Sequence, residues 1–192
     1  MRRMILLLGA LVWAGCGREV HTYRIAPYLE PGTTCVECSV SMTMRATPEH
    51  DGDELYIEHF GPERFKAAGF TFKWGVEQRV ELEVERYRPI MEDDSGVNYY
   101  FRRVLETRPV DPGTRFTMRF DDWPPGTYSE DLFVREGDGF LLQGAKRVEC
   151  ATAELCEQLA ARRLGEEAFA LELAFPATEG APLRLHAVQD LP

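Results

Sequence analysis

Val80-Glu-Leu-Glu-Val-Glu-Arg-Tyr87 has the most regular pattern in this chain of 192 residues. Its three apolar residues alternate with three glutamates, so an extended backbone places the apolar side chains on one face and the carboxylates on the other. This alternation is typical of a β-strand that packs on a core with one face and meets water with the other. Residues 99–105 follow a loop at 89–96 and are rich in aromatic and branched side chains, which predicts the antiparallel partner strand.

Strand patterns continue on both sides of this pair. They predict strands at residues 22–26, 38–46, 55–60, 115–120, 132–135, 140–146, 168–175 and 183–188, with one helical turn at 62–68. The strands at 132–135 and 140–146 form a hairpin across Glu136-Gly-Asp-Gly139. Residues 152–163 predict a helix, because Thr152 is a favourable N-cap, leucines recur at near-helical spacing and two arginines occupy the last turn.

A turn-rich segment at 109–113, with two prolines and a glycine, divides the chain. The patterns before and after it predict a mainly β (α+β) fold of two small antiparallel-sheet domains. We place the first domain at 23–109 and the second, which contains the helix, at 110–192.

The N-terminus has the features of a secretion signal. Arg2 and Arg3 precede an apolar run over residues 4–14. A membrane-spanning helix needs about 20 such residues, so this run is too short to span and predicts a signal peptide. It ends in Trp13-Ala-Gly-Cys16, and small residues before a cysteine resemble the bacterial lipobox, in which the thiol is acylated and the chain is cut before the cysteine. An ordinary secretory signal with an incidental cysteine is the alternative.

Under the lipobox interpretation, residues 1–15 are the signal peptide, Cys16 carries the lipid and residues 16–22 form a tether. Each acyl CH₂ that enters a bilayer contributes about 0.8 kcal/mol, and several chains are needed for stable anchoring. In lipoproteins of this kind an Asp after the cysteine commonly signals inner-membrane retention. Gly17 stands there in this chain, which indicates the outer membrane.

The remaining cysteines fit an oxidising compartment. They are Cys35, Cys38, Cys150 and Cys156, an even number in a secreted context. Three connectivities are possible, and proximity in sequence favours the local pairs Cys35–Cys38 and Cys150–Cys156. A redox-active C-x-x-C is disfavoured because strand-like alternation follows it, whereas activated thiolates lie at helix N-termini. A four-cysteine zinc site is disfavoured because C-x₅-C is the wrong spacing.

Composition excludes some functions. The chain has 22 Lys and Arg against 32 Asp and Glu, a formal net charge of −10. Nucleic-acid binding needs clustered basic residues, so we predict no nucleic-acid partner. The four histidines lack metal-type spacing, and no nucleophile elbow, phosphate loop or dinucleotide fingerprint is present. We therefore assign no catalytic residue, metal or cofactor.

Aromatic residues give one indication of binding. Trp74 and Tyr99 lie near the paired strands, and Trp123 and Tyr128 flank a Pro-Pro-Gly turn. These four either fill a small core or form an exposed patch for an envelope protein or glycan.

The order of motifs in the first half resembles a known bacterial module. Tyr23-Arg-Ile-Ala-Pro-Tyr-Leu-Glu-Pro31 comes first, then the close cysteine pair, then the Gly69-Phe segment with its glycine-led strand, and finally Asn98-Tyr-Tyr-Phe-Arg-Arg-Val-Leu105. This order is similar to that of domain of unknown function 4377, which is common in envelope lipoproteins and often found beside META domains. The resemblance covers about residues 21–108 and implies a fold and an envelope location. It implies no reaction, because the family has no agreed activity.

Two classes of function follow from the sequence. The first is a lipid-anchored, non-enzymatic binding or structural protein of the envelope. The alternative is an envelope hydrolase or redox protein whose site is assembled only on folding. A cleft in which His59 or His186 meets carboxylates would favour the alternative.

Overall fold

A computed structural model describes residues 18–33, 40–49, 58–88, 96–121, 132–143, 146–162 and 167–192. The first sheet contains strands β1 (Arg18–Thr33), β2 (Val40–Pro48), β3 (Glu58–Phe60), β4 (Val76–Arg86) and β5 (Val97–Pro109). Its strand order is β3-β2-β1-β4-β5, and every pairing is antiparallel. A 3-10 turn (Lys66–Ala68) lies between β3 and β4.

The second sheet has six strands and one helix. Its elements are β6 (Arg115–Phe120), β7 (Phe133–Glu136), β8 (Gly139–Leu142), β9 (Lys146–Cys150), helix α1 (Ala153–Ala160), β10 (Phe169–Ala174) and β11 (Leu183–Asp190). The strand order is β6-β10-β11-β9-β8-β7, with β9 and β11 parallel and the other pairs antiparallel. The predicted fold class, mainly β with two antiparallel-rich sheets and one helix, is confirmed.

The alternation in β4 has the predicted consequence. Val80, Leu82 and Val84 are buried, while the intervening glutamates are half-buried and accept hydrogen bonds from arginines. The β7–β8 hairpin forms across residues 136–139 as predicted. Thr152 caps α1, with its hydroxyl oxygen accepting from the backbone N–H of Leu155.

Several predicted boundaries differ from those in the structure. The strand predicted at 140–146 ends at Leu142, and β9 (Lys146–Cys150), which follows it, was not predicted. Strand β1 begins at Arg18, so residues 18–22 pair with β4 instead of forming part of a tether. Helix α1 ends at Ala160 instead of 163, and its last turn holds no basic residue. Arg162 pairs with Asp190 (Nη1–Oδ1 2.6 Å), which is an ion pair to β11 that local helix signals do not encode.

The two sheets share one continuous cluster of buried apolar side chains. A register shift in β1 between Ile25 and Leu29 places Tyr28 against the second sheet, where its ring stacks on Phe116 at 4.6 Å between centroids. The Phe116 ring stacks in turn on Phe175, also at 4.6 Å. The chain passes from the first sheet to the second between Pro109 and Arg115, beside this stack.

Candidate functional site: a cavity between the sheets

A cavity of about 240 Å³ lies where the two sheets meet. We call it the intersheet cavity, and both sheets and their connecting turns contribute to it. Its lining residues are Leu29, Met42, Pro62, Glu63, Trp74, Leu142, Gln143 and Lys146. Most of these side chains are apolar, and a few are polar, which is the usual composition of a small-molecule site.

Regular strand geometry supplies the apolar wall. Leu29 follows the irregularity in β1, Met42 lies on the buried face of β2 and Leu142 is the last residue of β8. All three are buried. Since they belong to three strands in two sheets, this wall exists only when both sheets have formed.

Trp74 enters the cavity from the turn before β4. The next residue, Gly75, has a φ of +73°, a left-handed conformation that side chains with a Cβ rarely adopt. The Gly75 N–H donates to the Pro27 carbonyl, and its carbonyl accepts from the Val110 N–H, both at 2.8 Å. These bonds fix the turn, and the indole packs edge-to-face on Phe72 at 5.7 Å between ring centroids.

Gln143 links the sheets across the cavity. It has a φ of +46°, an unusual value for a residue other than glycine. Its N–H donates to the Leu132 carbonyl at 2.8 Å, and its side-chain Oε1 accepts from the Met42 N–H at 2.9 Å. Because Oε1 is used in this way, the Nε2 amide is the group that the side chain can offer to a ligand.

Lys146 is the buried cation of the site. The residue is 7% exposed, and its Nζ donates to the Ala181 carbonyl at 2.7 Å. No carboxylate within the described ranges forms an ion pair with it, and burial lowers the pKa of its ammonium. The cavity's carboxylate, that of Glu63, is 73% exposed and pairs with Lys66 at 2.8 Å.

Lys146 was not among the residues predicted to form a site, although the strand pattern around it indicates that its side chain points inward. In Lys-Arg-Val-Glu-Cys, a period of two puts Lys146 on the same face as Val148. Val148 is apolar and Arg147 is charged, so this period predicts that Val148 and Lys146 point inward. In the structure both are buried and Arg147 is exposed. No local pattern indicates that this face borders a cavity, or that the first sheet supplies part of the cavity wall.

The structure gives the predicted patch residues different surroundings. Trp74 lines the intersheet cavity, whereas Tyr99 packs edge-to-face in the core on Tyr23 and Phe60, at 6.1 and 5.1 Å between centroids. Trp123 and Tyr128 lie outside the described residues. The exposed aromatic patch therefore stays a prediction.

Among the predicted cysteines, Cys150 and Cys156 form a disulfide that joins β9 to helix α1. Cys16, Cys35 and Cys38 lie outside the described residues, as does the predicted signal peptide at 1–15. In the part of the chain that is described, no helix is long and apolar enough to cross a membrane.

Two histidines have described side chains, His21 and His186, and neither is among the residues that line the intersheet cavity. His21 is within 3.0 Å of the Glu19 carboxylate, and His186 is half-buried on β11. His50 and the side chain of His59 are outside what the structure describes. Within the described ranges, no group of three or more His, Cys, Asp or Glu is placed to hold a metal ion.

The outer face of the first sheet carries cross-strand ion pairs. Glu49 accepts hydrogen bonds from Arg24 and Arg79, at 2.7 and 2.6 Å, and these bonds lower the pKa of its carboxyl. Arg103 forms a two-pronged pair with Glu81, at 2.7 and 3.0 Å. A polar cavity of about 100 Å³ lies within this face, and its lining holds three arginines and two glutamates. Two of these arginines, Arg24 and Arg79, are already paired with Glu49.

Comparison with known proteins adds no assignment. No family model matches the chain, and no curated protein or solved structure is detectably similar to it.

Proposed function

We propose that this protein is a lipid-anchored protein of the bacterial envelope whose folded part is a non-enzymatic binding module. Acylated Cys16 would hold it in the membrane, and Gly17 favours the outer membrane. The Cys150–Cys156 disulfide supports this location, because such bonds persist in oxidising compartments. The partner that we propose is an envelope protein or glycan.

The observation that carries the binding role is the buried Lys146 ammonium in a cavity that Trp74 also lines. A preformed cavity with an apolar wall, and with a cation that pairs with no carboxylate among the described residues, suits recognition of a ligand. The enzymatic alternative would instead be supported by a nucleophile with a base, or by two facing carboxylates. Among the described side chains, the lining of the intersheet cavity contains one carboxylate, that of Glu63, and does not include His186. The side chain of His59 lies outside what the structure describes.

We also propose that the first half is similar to domain of unknown function 4377. The motifs that carry this resemblance fall within residues 21–108, and strands β1 to β5 occupy 18–109. The Tyr23–Pro31 motif includes the irregular part of β1, where Tyr28 contacts the second sheet. This gives the motif a physical role that would explain its residues.

Anchoring is tested by blocking lipoprotein maturation. Treatment of cells with globomycin, or a Cys16→Ser variant, should leave the signal peptide attached or shift the protein out of the detergent-soluble outer-membrane fraction. Glu179→Gln in the exposed loop before β11 is the control, because it leaves every cysteine in place. Unchanged fractionation and unchanged N-terminal mass in the Cys16→Ser variant would contradict the anchor.

The binding role is tested by crosslinking the native protein in its membrane and identifying what is captured. We expect a specific envelope protein or glycan that is lost when Trp74 is replaced by alanine. Capture of the same species by both forms, or of nothing specific, would count against the binding role.

A further inference from the structure

We propose that the intersheet cavity binds the carboxylate of a small molecule with an aromatic or short apolar body, seated on the Nζ of Lys146. This inference rests on the proposed binding role and adds a small-molecule ligand to the envelope protein or glycan proposed there. It does not depend on the lipid anchor.

The positive charge of Lys146 favours an anionic ligand. An ammonium has three donors, and the Ala181 carbonyl accepts from one of them. A buried cation without a counter-ion is costly, and an anion that enters the cavity would remove this cost. The chain supplies no such anion from its described residues, so the position is open to one from a ligand.

The apolar wall and the volume of the intersheet cavity limit the uncharged part of the ligand. Leu29, Met42 and Leu142 provide an apolar wall, and the Trp74 indole provides a flat surface. A cavity of about 150 Å³ lined by apolar residues holds benzene, and drug-sized ligands take roughly 300 Å³ or more. The intersheet cavity, at about 240 Å³, therefore suits a single ring or a short chain with its charged group.

The donors in the cavity lining suit a carboxylate better than a phosphate. Phosphate sites typically combine several donors, such as arginines and backbone N–H groups at a helix N-terminus. Among the described residues, Lys146 is the one cationic side chain in the cavity lining, and Glu63 at its rim adds a negative charge. A single negative charge matches one lysine, with the Gln143 Nε2 as a second donor.

The test uses benzoate as the probe and benzamide as its neutral counterpart of the same shape. Purified protein is titrated with each, and the side-chain indole signal of Trp74 and the backbone amide signal of Lys146 are followed by NMR. We expect saturable shifts with benzoate at millimolar concentration and at least tenfold weaker binding of benzamide. Equal affinities for the two probes, or no shift at Trp74, would overturn the proposal.

Two variants locate the charge. Lys146→Met should abolish the preference for benzoate over benzamide, whereas Lys73→Met, which removes an exposed lysine next to Trp74, should keep it. A preference that survives Lys146→Met would overturn the proposal. This outcome is separate from failure of the wider binding role, which would appear as a loss of specific crosslinking in membranes while benzoate still binds the purified protein.

Discussion

Single residues in this protein are constrained mainly where two strands or two sheets approach closely. Gly139 and Lys146, at opposite ends of the β8–β9 pair, show two forms of this constraint. Gly139 has no room for a side chain, and Lys146 places a charged group where water is largely excluded. Both effects can be measured as changes in the free energy of unfolding.

Gly139→Ala should destabilise the protein by roughly 1–3 kcal/mol, the usual cost of overpacking. A Cβ at this position would clash with the carbonyl oxygen of Val148, a backbone atom held in the β8–β9 ladder. Gly61→Ala is the control, because nothing lies within 4 Å of its added Cβ. Urea denaturation of the two variants measures the difference, and equal midpoints would show that the hairpin accommodates the methyl group.

Lys146→Met should raise the free energy of unfolding at neutral pH, because it replaces a desolvated ammonium with an apolar side chain of similar length. Burial lowers the pKa of Lys146 from its ordinary 10.5, so the unfolded chain binds more protons between the two values. Wild-type stability therefore rises with pH through that window, and the advantage of the variant should shrink. Denaturation at several alkaline pH values checks this, with Lys73→Met as the control; a constant difference would contradict it.

At the scale of elements, the strands of the first sheet combine a buried apolar face with an outer face of ion pairs. β4 lies between β1 and β5 and places glutamates opposite arginines of both neighbours. Exposed pairs of this kind contribute little each, typically 0.2–1 kcal/mol. Their arrangement across strands nevertheless favours one register, because a shift by one residue would place these charges on the core face.

Glu49→Gln should lower stability at neutral pH by about 1 kcal/mol, since it weakens two exposed pairs. Hydrogen bonds from Arg79 and Arg24 lower the pKa of Glu49 below its ordinary 4.5. Its contribution is therefore present above that value and is lost as the pH falls through the lowered pKa. The difference from wild type, measured by denaturation between pH 7 and pH 3, should shrink in acid, while Glu179→Gln in the exposed β10–β11 loop should cause little change. A difference that grows in acid would contradict this assignment.

At the scale of the whole molecule, the two sheets form one core. The continuous buried cluster and the Tyr28–Phe116–Phe175 stack connect strands on either side of the 109–113 segment. The intersheet cavity lies along the same junction. Its geometry therefore depends on the packing of both halves.

Phe116→Ala should destabilise the protein by about 3 kcal/mol, the lower range for loss of a buried phenylalanine ring. Because both sheets pack on this ring, we expect calorimetry to show a single unfolding transition at a lower temperature. Val134→Ala, on exposed β7, should shift the transition by no more than about 0.5 kcal/mol. Two separate transitions, of which the variant moves one, would show that the sheets unfold independently.

Features that depend on neighbouring residues could be predicted from the amino-acid sequence. The valine and glutamate alternation in β4, the Glu136-Gly-Asp-Gly139 hairpin turn and the Thr152 cap all follow from side-chain period or short-range hydrogen bonding, and all three are present. For the same reason the fold class was predictable, and the proximity of Cys150 to Cys156 was enough to indicate their bond.

Contacts between segments that are distant in sequence set the start of β1, the end of α1 and the cavity that Lys146 lines. Arg18 belongs to a strand because β4 supplies partners more than fifty positions away, and Arg162 leaves the helix for a carboxylate on β11. The cavity was invisible in the sequence because its walls come from residues as distant as Leu29 and Lys146. Such contacts form only when distant segments pack together, and neither period nor local propensity encodes which segments meet.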